Sequence, residues 1–457
     1  MEAKTFIKEI VAKSKKAQQV VEAFDQEQLD AMVKGMAKTI YDNRERLSKE
    51  AHEETGLGTA ENKITKHISL TVNQWNFLKG KKSTGLIKED KELALLTYAK
   101  PMGVIGSLTP STNPTTTATH NALISVKSGN SIIVSPHPKA KRCTALAVQL
   151  MNEAIIAAGG PENLVMSIEE PTIELTDLLM KEVDVVVATG GFGMVKAAYS
   201  SGRPSFGVGQ GNVQTLFDDS LEDIDTAVGT VIFNRAYDLG LPCTGDQTIY
   251  IPETIADAVL ASFKAQGAAI FDDEATIDRF RKKAFVDSHQ NLEIVGHPAA
   301  SVAKTVGIEG VPEDAKLLLF KVEKAGKDEP LAKEILCPVV RYRIYEDFAD
   351  AVEWARTNLL MEGAGHTATL FSTSQERIRH AGARLPVGRV MVNQGGASAS
   401  GGPINNGLEP TISLGCGSWG NNSISENLTY HHLMNVTIVS SVIPDVAPLD
   451  PEKVFED

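Results

Sequence analysis

The sequence predicts an α/β protein made of two doubly wound domains with a small β ribbon attached. Three observations carry this expectation. Short apolar runs at 104–106, 132–134 and 183–187 alternate with helix-length stretches such as 143–157, and buried strands alternating with helices make a parallel sheet covered on both faces. The alternation restarts near Asp225 and continues to Val392, which suggests a second domain of similar design. At 457 residues the chain is also longer than one ordinary core fills, so two or three domains are expected.

Taken in order, residues 5–80 place apolar side chains at helical spacing, as in Ile7, Ile10 and Val11, then Leu29, Met32, Val33, Met36, Ala37 and Ile40. They read as several amphipathic helices that need a surface to pack on. Residues 85–99 look like two strands joined by a charged turn, a ribbon suited to pairing across a subunit interface. The β-branched segment 435–442 can return to pair with it. The expected division is 1–84 with 100–222 as the first domain, 223–429 as the second, and 85–99 with 430–457 as ribbon and tail. No repeat of solenoid period interrupts this pattern.

Composition narrows the function. With 42% hydrophobic and 23% charged residues, the chain has the make-up of an ordinary soluble enzyme. Its 58 acidic residues outnumber 45 basic ones, and the net charge of −13 repels nucleic acid and anionic membranes. Neither is expected as a partner. The longest apolar stretches are strand-sized, and residues 1–16 mix Glu9 with lysines instead of forming an apolar signal core, so a cytoplasmic location is expected. Four cysteines, at 143, 243, 337 and 416, form no CxxC pair and meet no His cluster. This argues against a disulfide framework or a metal site and leaves reduced thiols, one of which can be catalytic.

Two local patterns suggest chemistry. Thr189, Gly190 and Gly191 form a glycine-rich turn between an apolar strand and a helix. Free backbone N–H groups there can face a phosphate, or the glycines can simply serve a tight turn. Cys243 lies just before an apolar strand, a position open to a nucleophile, although a lone cysteine also serves as a small buried hydrophobe.

Several blocks together are more specific than either pattern. Thr109-Pro-Ser-Thr-Asn113-Pro, the turn at 189–193, Cys243 and Glu334-Ile-Leu-Cys-Pro-Val339 occur in an order and spacing that resemble the aldehyde dehydrogenase superfamily over nearly the full chain. Residues 362–368 and 414–427 are similar to its CoA-acylating branch, especially succinate semialdehyde dehydrogenases, acylating sulfoacetaldehyde dehydrogenases and the aldehyde domain of bifunctional alcohol dehydrogenases. The resemblance implies a cofactor-binding first domain, a catalytic second domain, and a ribbon that builds a homodimer or homotetramer. The implied reaction joins an aldehyde to coenzyme A while NAD or NADP takes up a hydride.

The same resemblance makes Cys243 the nucleophile and Asn113 an amide donor to the oxyanion, where stabilisation acts mainly in the transition state. Asn113 can alternatively cap a turn before Pro114. Glu334 matches the glutamate that holds the nicotinamide ribose. Hydrolytic relatives carry a general-base glutamate where this chain reads Phe206-Gly207-Val208-Gly209-Gln210-Gly211-Asn212. Without a base to activate water, transfer to a thiol is favoured over hydrolysis. His366 is the expected acceptor of the CoA proton, because imidazole titrates near neutral pH; a histidine satisfied within a loop is the alternative.

The loop with His137, Lys139, Lys141 and Arg142 falls where the family binds the adenosine end of the cofactor, with Ala140 in place of the usual glutamate. The cations would admit a 2′-phosphate, so NADP is expected to be accepted. A solvated basic turn, or a contact to CoA phosphates, is the competing reading. Gly209 joins Thr189, Gly190, Gly191 and Glu334 among the expected cofactor contacts. Arg235, Thr115 and His120 are candidates for holding an anionic substrate tail, and Ser418 for lining the entrance. Arg235 can equally be a surface cation near a helix end. Succinate semialdehyde is the expected substrate, with sulfoacetaldehyde, then acetaldehyde or propionaldehyde, as alternatives. A non-catalytic scaffold would not need Cys243, Asn113, Glu334 and His366 together.

Overall fold

Each amphipathic stretch near the N-terminus forms a helix whose apolar stripe is buried. In the computed structural model, which describes residues 2–287, 289–444 and 446–456, helices span Ala3–Val21, Gln26–Asp42, Arg44–Thr55 and Ala60–Leu78. The second begins at a capping box: Asp25 accepts from the Gln28 N–H at 2.9 Å, and the Gln28 side chain accepts from the Asp25 N–H at 3.0 Å. Such a cap satisfies two otherwise orphaned donors. Leu29, Met32, Val33, Met36 and Ile40 are buried against Ile105, Ile132, Val134, Val185 and Val187 of the first sheet. Ile7 and Ile10 cover its other face, over Val104, Ile133 and Val186.

That sheet is parallel and five-stranded, in the order Val165–Ser167, Ser131–Pro136, Val104–Thr109, Val185–Thr189, Ser205–Val208. Burial of both faces explains why its strands are runs of Val and Ile rather than alternating patterns. The second sheet is parallel and seven-stranded, in the order Ala268–Phe271, Leu317–Lys321, Val339–Tyr345, Asp246–Pro252, Val213–Phe217, Gly365–Phe371, Val387–Val392. Val213–Phe217 therefore belongs to the second sheet, whereas the sequence reading starts the second domain ten residues later, at 223. Only residues 209–212 separate the last strand of one sheet from a central strand of the other.

The ribbon is antiparallel. Gly85–Asp90 pairs with Leu95–Pro101, whose other edge takes Met434–Ser440 in a register running from Met434 opposite Pro101 to Ser440 opposite Leu95. The β-branched tail segment thus returns to the early hairpin. Among the described residues, no helix is long and apolar enough to cross a membrane.

Candidate active site

The two sheets meet end to end, and that meeting places the expected chemistry. Asn113, His137 and the 189–191 turn all follow the carboxyl ends of first-sheet strands, where open α/β sheets bind ligands. Cys243 instead precedes the amino end of the strand Asp246–Pro252. The crossing 209–212 runs between them. A Cβ at Gly211 would overlap the carbonyl oxygen of Cys243, so only glycine lets the crossing pass so close to Cys243.

Cys243 and Asn113 line one cavity of ≈ 450 Å³ together with Thr244, Thr116, Tyr237 and Lys66. Cys243 is partly exposed. Burial of the sulfur, then the nearby charges of Glu334 and Cys416, push its thiol up to about 12, while its own backbone N–H and Lys66 pull the other way. Cys243 is thus a neutral thiol near pH 7.

Asn113 stands at the N-cap of the helix Pro114–Lys127, yet its side chain makes no cap hydrogen bond. Its Oδ1 accepts from Lys66 Nζ at 2.6 Å. With the oxygen held by an ammonium, the amide Nδ2 is left free to donate elsewhere, as an oxyanion donor requires.

Glu334 is buried and accepts from the Gly211 N–H at 3.0 Å. Its own N–H donates to Glu362 Oε1 at 2.8 Å. Burial and the Glu362 carboxylate raise Glu334 to about 8, against an opposing pull from Arg235. The crossing itself is held by Asn212, whose Nδ2 donates to the carbonyls of Ala332 at 2.7 Å and Glu362 at 3.1 Å.

The cofactor-loop residues fit a phosphate-bearing ligand in part. Gly191 caps the helix Phe192–Tyr199 with open space at its Cα, and Thr189 Oγ1 is buried without a partner among the described residues. Gly209 likewise faces open space. Among the loop cations, Lys141 pairs with Glu170, and Arg142 donates to Glu54 from its N–H at 2.9 Å and its Nε at 3.4 Å. His137 Nδ1 accepts from the Lys139 N–H at 3.1 Å. Only Lys139 of the three cations has no ion pair among the described residues. Two distant carboxylates therefore occupy charges that look available in the sequence.

His366 is fully buried and does not line the cavity, and burial together with Arg389 lowers its imidazole to about 3. It stays neutral at physiological pH, so the expectation of titration near neutrality does not hold for the free protein. Among the described residues its Nε2 has no partner. Arg389 donates to the carbonyls of His366 at 2.9 Å and Gly415 at 2.6 Å, and its charge acts on both Cys243 and Cys416.

The expected tail-binding residues sit elsewhere than on the cavity wall. Arg235 is fully buried, and its guanidinium donates to the carbonyls of Val339 at 3.1 Å, Cys337 at 2.6 Å and Ile335. It ties a helix to the 335–339 segment and is not a surface cation. His120 is buried between Asn121 Oδ1 at 3.0 Å and Thr411 Oγ1 at 3.2 Å, and Thr115 is buried one residue before the lining Thr116. Ser418 is exposed in a short turn at 418–420. The sequence reading missed Lys66, Asp238 and Arg389. No local signal separates Lys66 from an ordinary solvated helix face.

Comparisons with known proteins agree with this fold. The aldehyde dehydrogenase family pattern matches residues 2–405. The succinate-semialdehyde dehydrogenase (acetylating) of Clostridium kluyveri is 46% identical over 431 residues, 94% of each chain. A sulfoacetaldehyde dehydrogenase from an Acholeplasma species is 37% identical over 455 residues, 98% of this chain and 93% of the relative. The crystal structure of an acetylating aldehyde dehydrogenase from Geobacillus thermoglucosidasius has a TM-score of 0.93 at 35% identity, covering 98% of this chain and 99% of that one. With a cysteine and an amide facing one cavity between two wound sheets, and with matches of this extent, the chain belongs to the aldehyde dehydrogenase family.

Proposed function

We propose that this enzyme is a CoA-acylating aldehyde dehydrogenase acting on succinate semialdehyde. The observation that carries the acylating reading is the crossing 209–212, which passes Cys243 with glycine, glutamine and asparagine and no carboxylate. The Cys243 thiolate adds to the aldehyde carbon, and the oxygen that gains charge is met by Asn113 Nδ2. Bound NAD or NADP supplies the hydride acceptor that turns this adduct into a Cys243 thioester. Thr189, Gly190, Gly191, Gly209 and Glu334 hold that cofactor, with His137 and Lys139 nearest its adenosine end. Lys141 and Arg142 reach a 2′-phosphate in competition with Glu170 and Glu54.

The CoA thiolate then attacks the thioester carbon, the C–S bond to Cys243 breaks, and acyl-CoA leaves. Water competes poorly because the crossing carries no carboxylate to activate it, whereas a thiol is the better nucleophile and needs only modest help with its proton. His366, whose Nε2 has no partner among the described residues, is assigned that proton. Burial and Arg389 lower the imidazole to about 3 in the free protein, so the assignment requires bound CoA to raise it. Ser418 is assigned to the CoA entrance. The acetylating relatives support this step.

The C. kluyveri relative favours succinate semialdehyde, and the Acholeplasma relative supports sulfoacetaldehyde as a second reading; both aldehydes carry an anionic tail. The exposed edge of Met434–Ser440, with Val436 and Ile438 facing solvent, suits pairing between subunits in a cytoplasmic homodimer or homotetramer. Initial rates of NADPH formation with and without CoA, across an aldehyde panel, test the proposal. CoA-dependent turnover favouring succinate semialdehyde supports it, and equal turnover without CoA removes it.

A further inference from the structure

Beside Cys243 two lysines share one carboxylate. Lys63 Nζ lies 3.2 Å from Asp238 Oδ2, and Lys66 pairs with the same oxygen. All three are withdrawn from solvent, with side-chain exposures of 5% for Lys63, 12% for Lys66 and 0% for Asp238. With both lysines charged, the cluster holds one positive charge in excess. Burial and the neighbouring Lys66 lower Lys63 to about 8, which shows how poorly two cations tolerate one counterion here.

Only one of these groups reaches the cavity. Lys66 lines it, and among the described residues it is the only charged side chain to do so. An ammonium carries three donors. Lys66 gives one to Asp238 and one to Asn113 Oδ1, which leaves the third without a protein acceptor among the described residues.

We propose that Lys66 is the binding group for the anionic tail of the substrate, a carboxylate or sulfonate whose central atom lies two to three bonds from the aldehyde carbon, and so determines specificity. This rests on the reading of the protein as an aldehyde dehydrogenase for acid-tailed substrates. It assigns the tail to a residue other than Arg235, which is fully buried, does not line the cavity, and has its Nε and Nη2 held by backbone carbonyls.

The geometry fits. The aldehyde oxygen sits against Asn113 Nδ2, and Lys66 binds the oxygen of that same amide. One hydrogen bond on each side of an amide group separates the oxyanion from the ammonium by roughly 5–8 Å. In a four-carbon semialdehyde the carboxylate oxygens lie about 4–5 Å from the aldehyde carbon, which leaves room for a single hydrogen bond to Lys66. A butyraldehyde chain of equal length fills the same volume and leaves the excess charge unmet.

The test measures kcat/KM with saturating CoA and NADP+ for succinate semialdehyde, sulfoacetaldehyde and butyraldehyde in wild type, Lys66→Gln and Lys66→Arg. We expect wild type to prefer one acid-tailed aldehyde over butyraldehyde by more than tenfold, and the better of the two identifies the tail. Lys66→Gln lowers that preference at least tenfold, chiefly through KM, while Lys66→Arg keeps most of it. Loss of the Asn113 contact affects all aldehydes alike and cancels in the ratio. A preference unchanged in Lys66→Gln, or an equal loss on all three aldehydes, overturns the assignment while the substrate reading stands. A wild type without any preference overturns the substrate reading and the tail site with it. Should Lys66→Gln fail to fold, wild type alone decides: butyrate must slow alkylation of Cys243 by iodoacetamide where butyramide at equal concentration does not, and equal effects overturn the assignment.

Discussion

Replacing Asp238 by asparagine isolates one charge at a joint between the helical layer and the second domain. Asp238 adopts φ 47 in the turn after the helix Ile224–Ala236, a left-handed conformation that asparagine tolerates nearly as well. The amide also keeps an oxygen to accept from the Thr59 N–H, now at 2.8 Å. What disappears is the counterion of Lys63 and Lys66. Removing one partner of a buried ion pair costs about 3–5 kcal/mol, because the other charge stays buried and unpaired.

The pH dependence gives the sign. Lys63 is already lowered to about 8 in the folded protein, against 10.5 for an ordinary lysine. Between those values the unfolded chain binds more protons, so stability rises with pH. Without Asp238 the folded value falls further, and the rise in Asp238→Asn starts at lower pH than in wild type. The gap between the two proteins is therefore widest near pH 6 and narrows up to pH 8, where wild type begins to rise in parallel. Scanning calorimetry of both at pH 6 and pH 8.5 measures this. A multidomain chain is compared by apparent Tm rather than by a two-state free energy. A drop of several degrees at pH 6 and a smaller one at pH 8.5 is expected; a negligible drop, or the same drop at both, refutes the electrostatic account of the cluster.

Three further outcomes follow from the site. Alkylation of Cys243 by iodoacetamide in the free enzyme should rise about tenfold per pH unit from 7 to 9, since the thiol sits near 12 and only the thiolate reacts; a plateau above pH 7 would contradict the burial argument. Glu334 is raised to about 8 in the folded state, so it costs stability increasingly as pH climbs from 4.5 to 8. Glu334→Gln should gain Tm relative to wild type between pH 5 and pH 9 while weakening nicotinamide cofactor binding in a fluorescence titration, and a pH-independent difference would count against it. Gly211→Ala drives a methyl into the Cys243 carbonyl, an overpacking worth about 1–3 kcal/mol. Single-turnover kinetics should show acylation slowed more than tenfold, and unchanged acylation would mean that the crossing can yield.

Much of the architecture is legible in the chain because burial leaves period-specific traces. The stripe from Leu29 to Ile40 and the valine runs of the first sheet are read from spacing alone, and the β-branched 434–440 strand from composition. The second sheet's start is harder. Val213–Phe217 carries Gln214 and Thr215 among its apolar residues, and both are buried: Gln214 Oε1 accepts from the Tyr250 hydroxyl at 2.9 Å, and Thr215 Oγ1 donates to Asp246 Oδ1 at 2.7 Å. Such internal polar pairing hides a buried strand from any apolar count.

At the site, Cys243 and Asn113 were found through matched blocks, and the structure puts them on one cavity. Charges mislead more readily, because their partners are distant in sequence. Glu54 lies 88 residues from Arg142, and Asp238 172 residues from Lys66. Arg235 reads as an available cation until the carbonyls around it are seen.

The most direct measurement follows the sulfur itself. Enzyme mixed with succinate semialdehyde and NADP+ but no CoA should form one equivalent of NADPH in a burst, with a succinyl group on Cys243 by peptide mass spectrometry. Adding CoA should then discharge it as stoichiometric succinyl-CoA. Steady release of free succinate without CoA, at the rate seen with it, or an acyl group on any other cysteine, would contradict the account.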